Sequence, residues 1–543
     1  MIGRTLDNLI GIFSPTWAAQ RINARATLSQ IQNAAQGGNA IGYAAGKPTR
    51  LNRSQLTAMA NENAMPRENI ARMRAASYQL YRDCPQARKI CRTLESKVIG
   101  RGLRPQSQVT RKDGTPHLEF RAAAHALWSA MQKRLDYRGR PGQGGQDFTG
   151  LSKTALRGCI LGGEVLPRYR PGEIKAGQKL PELTVQLVHA DRLSDTPSKD
   201  IPKGHTFFHG IELNKDDQRV AYHVLKYHPS DPRGAAAQEI VRIPASEMGH
   251  LYAAEDIDQL RGVPWMSAAI LKMQGTTDYE FTEMTAAKIA ACVVFGYRRS
   301  SGQNSFGVTL PDGDELTDGD GNKLTGVQPG MIIDEGRNGQ LNMYNPARPT
   351  ANASEFIAHM LRSQAVSVPG VKGSTLTGDY RNSSFSSERS ADNDAWPEIE
   401  GLQDWFAASW CQPTYEQVIT AGMLSGWFKD VVDIGDFQAN RDDYLRCNWQ
   451  GPVARSINPT DDAEASRKRV QNGQSTPQIE AALAGKNWQE NVMQLAEFIQ
   501  FCEDNELPES IIAQALGIDQ QDNPMGTDPS LEEEAANAAT SSE

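Results

Sequence analysis

Asp318-Gly319-Asp320-Gly321-Asn322 begins with the alternating carboxylates of a calcium-binding loop. Such a loop needs glycine at its sixth position and a bidentate glutamate at its twelfth. Lys323 and Pro329 stand there instead, so the segment is predicted to be a hairpin turn, like Asp312-Gly313 before it. His205 and His209 are four residues apart, but the intervening Thr206-Phe207-Phe208 favours a strand and no HExxH occurs, so they read as ordinary loop histidines. Ser386 and Ser387 have no histidine within their motif, and a remote one is beyond the reach of sequence. The two serines are expected to cap the helix that follows, although neither Ser387 with Ser390 nor Ser386 with Arg389 makes a capping box. Gly142 to Gly150 is rich in glycine, yet no Gly-Lys-Ser/Thr follows, so there is no phosphate loop and no sign of ATP hydrolysis. The seven cysteines are odd in number and scattered, without a CxxC, and support neither a zinc site nor a disulfide framework. They are expected to be buried thiols of a reducing cytoplasm. No helix-turn-helix or zinc finger is present, which argues against sequence-specific DNA recognition. The chain is therefore expected not to be an enzyme, and no metal or cofactor is called for.

The elements around these residues are mixed. A chain of 543 residues, 39% hydrophobic and 22% charged, can bury the cores of two to four domains. No apolar run approaches the roughly 18–20 residues that span a bilayer. At the N-terminus Ile2, Leu6, Leu9, Ile10, Phe13 and Trp17 recur at helical spacing with Asp7 among them, an amphipathic arm and not a signal peptide. Ile70, Met73, Ala76, Leu80, Ala87, Ile90, Leu94 and Val98 mark an amphipathic helix interrupted near Pro85. Further helices are predicted over about 118–135 and from Phe148 to Ile160. Short alternating runs at 164–169, 183–188 and 219–227, separated by Gly, Pro and Asp, predict a β-rich subdomain. Residues 265–298 contain no proline and are apolar at both ends, but polar almost all round in the middle, from Gln274 to Glu283. As one helix they would reach roughly 45–50 Å, and such a helix needs water or identical neighbours around it. A helix over about 353–365 and a long one bearing Trp396, Ile399, Leu402, Phe406 and Trp410 follow, the latter started or kinked by Pro397 and Pro413. Only short helices are predicted after it.

Charge is unevenly spread. Residues 1–140 hold 23 Lys/Arg against 8 Asp/Glu, a net of +15, so with −8 overall the remainder carries −23. From Asp519 to Glu543 there are seven acids and no base, a solvated tail. The basic third could face nucleic acid or an acidic partner, or consist of solvated helix faces.

Three stretches carry a family likeness: Arg82-Asp83-Cys84-Pro85-Gln86-Ala87 with Val98 to Ser107, Gln259-Leu260-Arg261-Gly262-Val263-Pro264-Trp265, and Gly378-Asp379-Tyr380-Arg381-Asn382-Ser383-Ser384-Phe385-Ser386-Ser387-Glu388-Arg389. Gln146-Asp147-Phe148, Gly162-Gly163-Glu164-Val165, Ala190-Asp191-Arg192-Leu193, Gly210-Ile211-Glu212, Pro244-Ala245 with His250, and Cys447 to Pro452 join them. In this order they resemble the lambda-type portal proteins of tailed bacteriophages over about residues 65–505. The resemblance implies an α+β subunit with a mixed α/β wing, a long α-helical stem, a small α/β clip and an α-helical crown, assembled as a ring. It also implies the boundaries: 1–64 arm, 65–260 wing, 261–298 first stem helix, 299–349 clip, 350–366 second stem helix, 367–385 tunnel loop, 386–430 kinked helix returning to the wing, 431–518 crown, and 519–543 acidic tail. Arg261, Gly262, Pro264, Gly378, Asp379, Tyr380, Ser386, Ser387 and Arg389 would be structural positions of the family motifs. One departure is Gln364-Ala365-Val366-Ser367-Val368-Pro369, where relatives often have a leucine-glycine pair before the loop.

By the same resemblance the protein would sit at one capsid vertex of the virion, having assembled in the host cytoplasm as a dodecameric ring. Double-stranded DNA would be packaged through it by the terminase large subunit and later ejected. Other partners would be the major capsid protein, scaffold and head-completion proteins, and no membrane. Because tight phosphate neutralisation would stall DNA, Lys372 and Arg381 in the loop are expected to make only brief phosphate contacts, or to be ordinary surface cations. The alternative is a peripheral DNA-binding or capsid-maturation factor, favoured by the basic first third.

Overall fold

The computed structural model describes residues 63, 67–173, 179–198, 201–234, 239–291, 295–297, 332–334, 353–379, 384–454, 459–484, 486 and 488–507. The chain divides into two compact units, Met1–Met65 and Pro66–Glu543, and every described residue except Asn63 belongs to the second. The N-terminal arm, the Asp-Gly turns with their imitation of a calcium loop, and the acidic tail lie outside the described residues.

Helices α1 (Arg67–Asp83) and α2 (Pro85–Leu94) meet at Pro85. A proline in the first turn of a helix gives up only an N–H that has no intrahelical partner, so the boundary falls where the sequence puts it. α2 buries Ala87, Ile90, Cys91 and Leu94 and runs into a π-turn, Glu95–Ile99, closed by the Gly100 N–H on Glu95 O at 2.9 Å. Strand β1 (Arg104–Ser107) and helices α3 (Leu118–Met131) and α4 (Phe148–Gly162) follow; the Asp147 carboxylate caps α4 by accepting from the Gly150 N–H at 2.8 Å.

The predicted alternating runs form strands β2 (Glu164–Pro171), β3 (Leu183–His189) and β6 (Arg219–Leu225). With β4 (Thr206–Phe208), β5 (Ile211–Leu213), β7 (Ile240–Pro244) and β8 (Leu251–Tyr252) they build two antiparallel sheets, ordered β3-β2-β8 and β4-β5-β6-β7. Successive side chains of a strand face opposite ways. Val165 of β2 accordingly joins the main core, while Leu166 joins a second core with Val188, Leu193, Ile211, Tyr222 and Ile243.

Helix α5 (Ile270–Ala291) has 22 residues, about 33 Å, and is shorter than the stretch the sequence suggested. Beyond it only β9 (Phe295–Tyr297) and β10 (Ile332–Asp334) are described, paired in parallel. Helix α6 (Ala353–Ala365) packs on α5. After the short α7 (Gly373–Thr377) comes α8 (Phe385–Phe406), a π-turn (Ala407–Cys411) and α9 (Gln412–Leu424). Pro397 lies inside α8 without ending it. Pro413 has no N–H to offer Ser409, and the π-turn just before it sets the Gln412 N–H on Ala407 O, a five-residue step.

One element escaped periodicity. Beyond α10 (Ile434–Ala439) and α11 (Arg441–Tyr444), where only helices were expected, Cys447–Gln450 forms β11 and pairs antiparallel with β1, Arg104 opposite Gln450. Four residues are too few for alternation to register. Phe437 and Leu445 lie in the main core, so this part of the chain is packed into the same body as α3 and α4, although an all-helical region was expected from 431. Helices α12 (Pro459–Gln471), α13 (Pro477–Leu483) and α14 (Trp488–Asp504) complete the described chain.

Trp410, fully buried in the π-turn, stacks on Phe148 with ring centroids 5.5 Å apart and donates its indole N–H to Ser152 Oγ at 2.8 Å. Truncating a buried tryptophan costs about 3–5 kcal/mol. Trp410→Ala should lower the urea midpoint by that equivalent, whereas Trp410→Phe, which loses the hydrogen bond and part of the ring, should lose less.

Candidate functional site: a buried charge hub and a tethered loop

Arg74 falls in helical step with the buried Ile70 and Ser77, on the inner face of α1, and is only 2% exposed. A guanidinium there must be paired. Its Nη2 lies 2.5 Å from Glu164 Oε1, its Nε donates to Gly162 O at 2.7 Å, and its Nη1 donates to Asp191 Oδ1 at 3.1 Å. Arg261 reaches the same carboxylate, with Nη2 at 2.5 Å and Nε at 2.8 Å from Oε1, and donates through Nη1 to His209 O at 2.7 Å. The other oxygen, Oε2, accepts from the Gly262 N–H at 2.8 Å and faces His250 Nε2 at 2.9 Å. Glu164 has no exposure at all. Burial alone would raise its carboxyl, but Arg261 and Arg74, with His250, hold it well below the ordinary carboxylate range.

The glycines of this hub are required. Gly163 has φ +84, and a Cβ there would lie 2.6 Å from the Gly262 carbonyl; a Cβ on Gly262 would lie 2.3 Å from Gly163 O. The close approach fixes the loop after Arg261 against the start of β2. Trp265 then donates its N–H to Ile160 O at 3.1 Å, and Met266, Ala269, Ile270 and Met273 root α5 in the main core. Pro264 is buried in the same turn.

A second buried carboxylate, Glu212, lies on the opposite face of the four-stranded sheet from Ile211 and Leu213. Arg242 donates to it through Nε at 2.7 Å and Nη2 at 3.0 Å; His205 Nδ1 lies at 2.6 Å and His223 Nε2 at 3.1 Å. Hydrogen bonding from Arg242 first, against burial, and then from both histidines lowers its carboxyl to about 2. His205 thus serves the Glu212 cluster through its ring, whereas His209 serves the Glu164 cluster through its backbone carbonyl.

Among the described residues, His189, Asp191 and His228 have ligand-type atoms within 4.8 Å of one another. Their hydrogen bonds have the wrong polarity for a cation. A histidine that binds metal through one nitrogen presents a proton on the other, yet His228 Nδ1 accepts from the Ser230 N–H at 3.1 Å and His189 Nδ1 accepts from the Asp191 N–H at 3.1 Å. Arg74 already takes Oδ1 of Asp191.

The segment after α6 is held down along its first half. Val368, Val371 and Leu376 are buried in the main core. The Gly370 N–H donates to Glu398 Oε2 at 2.5 Å, and its carbonyl accepts from Lys97 Nζ at 3.4 Å. Lys372 is 13% exposed, with Nζ 3.2 Å from Glu388 and 2.7 Å from Asp392, both on α8. Burial opposes its charge, but Asp392 and Glu388 outweigh that and hold the ammonium above its ordinary value. Gly378 ends α7 in the left-handed region at φ +65, and Asp379 follows it. Tyr380 and Arg381 lie outside the described residues, as does the side chain of Ser386. The helix cap is Ser384, not Ser386 or Ser387. Its Oγ accepts from the Ser387 N–H at 3.2 Å while Ser387 Oγ accepts from the Ser384 N–H at 3.0 Å, a capping box one turn earlier than the pairs weighed from the sequence. Arg389 is exposed.

Residues 49–403 match the model of the family described as "Phage portal protein, lambda family". The chain belongs to the lambda family of phage portal proteins. The "Probable portal protein" of Halomonas phage phiHAP-1 is 24% identical over 356 residues, which are 63% of this chain and 64% of that one, so the match spans under two thirds of the relative's length. Among solved structures, "Neck of empty GTA particle computed with C6 symmetry" is 12% identical over 80% of this chain and 98% of that chain, at TM-score 0.36. "Neck of native GTA particle computed with C12 symmetry" is 13% identical over 78% and 94%, at the same TM-score. At that score neither likeness bears on fold or assembly.

The hub gathers Gly162-Gly163-Glu164, Asp191, His250 and Arg261-Gly262 of the family likeness into one place. Arg74 was missed, although an arginine in step with Ile70 and Leu80 was the signal. Of the residues that tether the loop, Glu388 lies within the third family-likeness stretch, but Lys97 and Asp392 carried no sequence signal.

Glu164→Gln should cost about 3–5 kcal/mol in chemical denaturation, because it leaves the buried Arg261 without a counter-charge and Arg74 with Asp191 alone. Burial lowers the pKa of His250 and His223 from 6.5, and that of His189 to about 4. His250 Nδ1 has no partner for a second proton. The unfolded chain therefore binds protons that the folded one refuses. Stability present above pH 6.5 should be lost as pH falls from 6.5 toward 4, and further as Glu212 and Glu164 are protonated, measured as the thermal midpoint across that range.

Proposed function

We propose that copies of this chain close into a ring, expected to be dodecameric, at one vertex of a phage capsid. Double-stranded DNA is packaged through the ring by the terminase and leaves through it at ejection. The observation that carries this reading is the family match over residues 49–403. In this reading residues 65–260 form the wing, which meets capsid and scaffold proteins. The stretches 261–298 and 350–366 form the stem, 299–349 forms the clip, which docks terminase and then head-completion proteins, and the crown lies beyond 431.

Two features of the chain support it. Helices α5 and α6 meet through polar contacts: Gln364 Nε2 donates to Thr276 Oγ1 at 2.7 Å, and Lys272 Nζ donates to Ser363 Oγ at 2.8 Å. Leu271, Phe281, Met284 and Phe356 remain exposed on the same pair, which suits helices completed by neighbouring copies. The charge is the second feature. Outside the first 140 residues the net is −23, and a duplex slides more readily past a wall that does not neutralise its phosphates.

Lys372 enters this mechanism differently from the expectation drawn on sequence. Its charge is spent on Glu388 and Asp392, so it acts as the anchor of the loop, and a phosphate contact requires that pair to open. Arg381 remains the candidate for direct contact.

Electron microscopy of the purified protein tests the ring, and annuli with a central hole are the expected outcome. A monomer with salt-sensitive duplex affinity would favour the peripheral DNA-binding reading. Glu388→Gln with Asp392→Asn, which unpairs Lys372, should slow packaging in a complementation assay. Lys372→Met, made alone, should leave DNA retention within about twofold of wild type, since a paired cation adds little phosphate attraction.

A further inference from the structure

Where α1 hands over to α2, Arg82, Arg88, Lys89 and Arg92 line a surface groove of about 250 Å³ with Pro85 and Asp83. Arg88, Lys89 and Arg92 lie at positions i, i+1 and i+4 of α2, along one exposed face, and Arg82 closes the end from α1. Arg88 is preorganised. Its Nε donates to Tyr81 O at 3.2 Å and its Nη2 to Arg82 O at 2.8 Å, with the guanidinium carbon 5.7 Å from the Tyr81 ring centroid. Arg82, Lys89 and Arg92 meet no carboxylate among the described residues, and the one acid in the groove, Asp83, accepts from Gln79 Nε2. Four cations against one engaged carboxylate make a concave anion receptor.

We propose that this groove is the docking site of the acidic segment 519–543 of this polypeptide. Asp519, Asp522, Asp528, Glu532, Glu533, Glu534 and Glu543 give that segment seven negative charges and no positive one. A groove of about 250 Å³ lined by six residues suits a few carboxylate side chains of a peptide better than a duplex, which needs contact over a wide surface. No aromatic side chain lines the groove to stack a base. Carried by the same chain, the segment reaches the groove at a high effective concentration. Bound there, it masks these four cations of the basic first third of the chain from nucleic acid.

The test uses the full-length chain with the seven acids changed to Asn or Gln, and a fluorescent peptide of residues 519–543. At low salt the peptide should bind this chain, and bind the unmodified chain at least about tenfold more weakly because the native segment competes. Adding Lys89→Glu and Arg92→Glu, which leaves the Arg88 contacts and the fold intact by circular dichroism, should reduce binding by about tenfold or more at low ionic strength. Equal binding to the groove-reversed chain, or none to its parent, overturns the proposal. So does a 25-base-pair duplex that binds the parent, is lost on charge reversal and is not displaced by the peptide, since the groove would then be a phosphate site.

Discussion

A carboxylate without access to water must find its solvation inside the protein, and the subunit is arranged around one that does. Glu164 receives two guanidiniums, an imidazole and a backbone N–H. Those donors come from α1, the loop before α5 and the strand edge near β8. No single helix or sheet could supply them all. Losing either arginine would leave a buried charge unbalanced at a cost of several kcal/mol, so the relative positions of these elements are set together. The hub also lies where the two cores adjoin, with Val165 packed into one and Leu166 into the other.

The same logic reaches the loop after α6. Lys97 and Glu398 hold Gly370, while Glu388 and Asp392 hold Lys372. Charged hydrogen bonds to the Gly370 backbone and the ion pairs of Lys372 thus join the π-turn after α2 to α8 through a segment that sequence alone would leave free. Polar contacts likewise join α5 to α6, together with the ring contact of Tyr279 with Phe356, whose centroids are 5.2 Å apart.

What sequence could reveal follows from the range of each interaction. Helix α2 was legible because Pro85 and the apolar steps from Ala87 to Leu94 are local signals, and β2, β3 and β6 were legible from alternation. The glycines at 162, 163 and 262 were visible as motif residues, but not as two backbones in contact, because 98 residues of chain separate Gly163 from Gly262. Strand β11 was hidden for a similar reason: its identity lies in its pairing with β1 and not in its own four residues. Ser384 was overlooked as a cap because Ser387 makes an unusual third-position partner where Glu or Gln is the usual choice.

The meeting of Gly163 with Gly262 has a mechanical consequence. Packed side chains yield by changing rotamer, whereas two peptide planes in van der Waals contact have nothing soft between them. Tension or torque along α5 would therefore reach the central strand β2 undamped, through Trp265 and the glycine pair. That makes this junction a stiff coupling, and one extra methyl group there would act as a wedge.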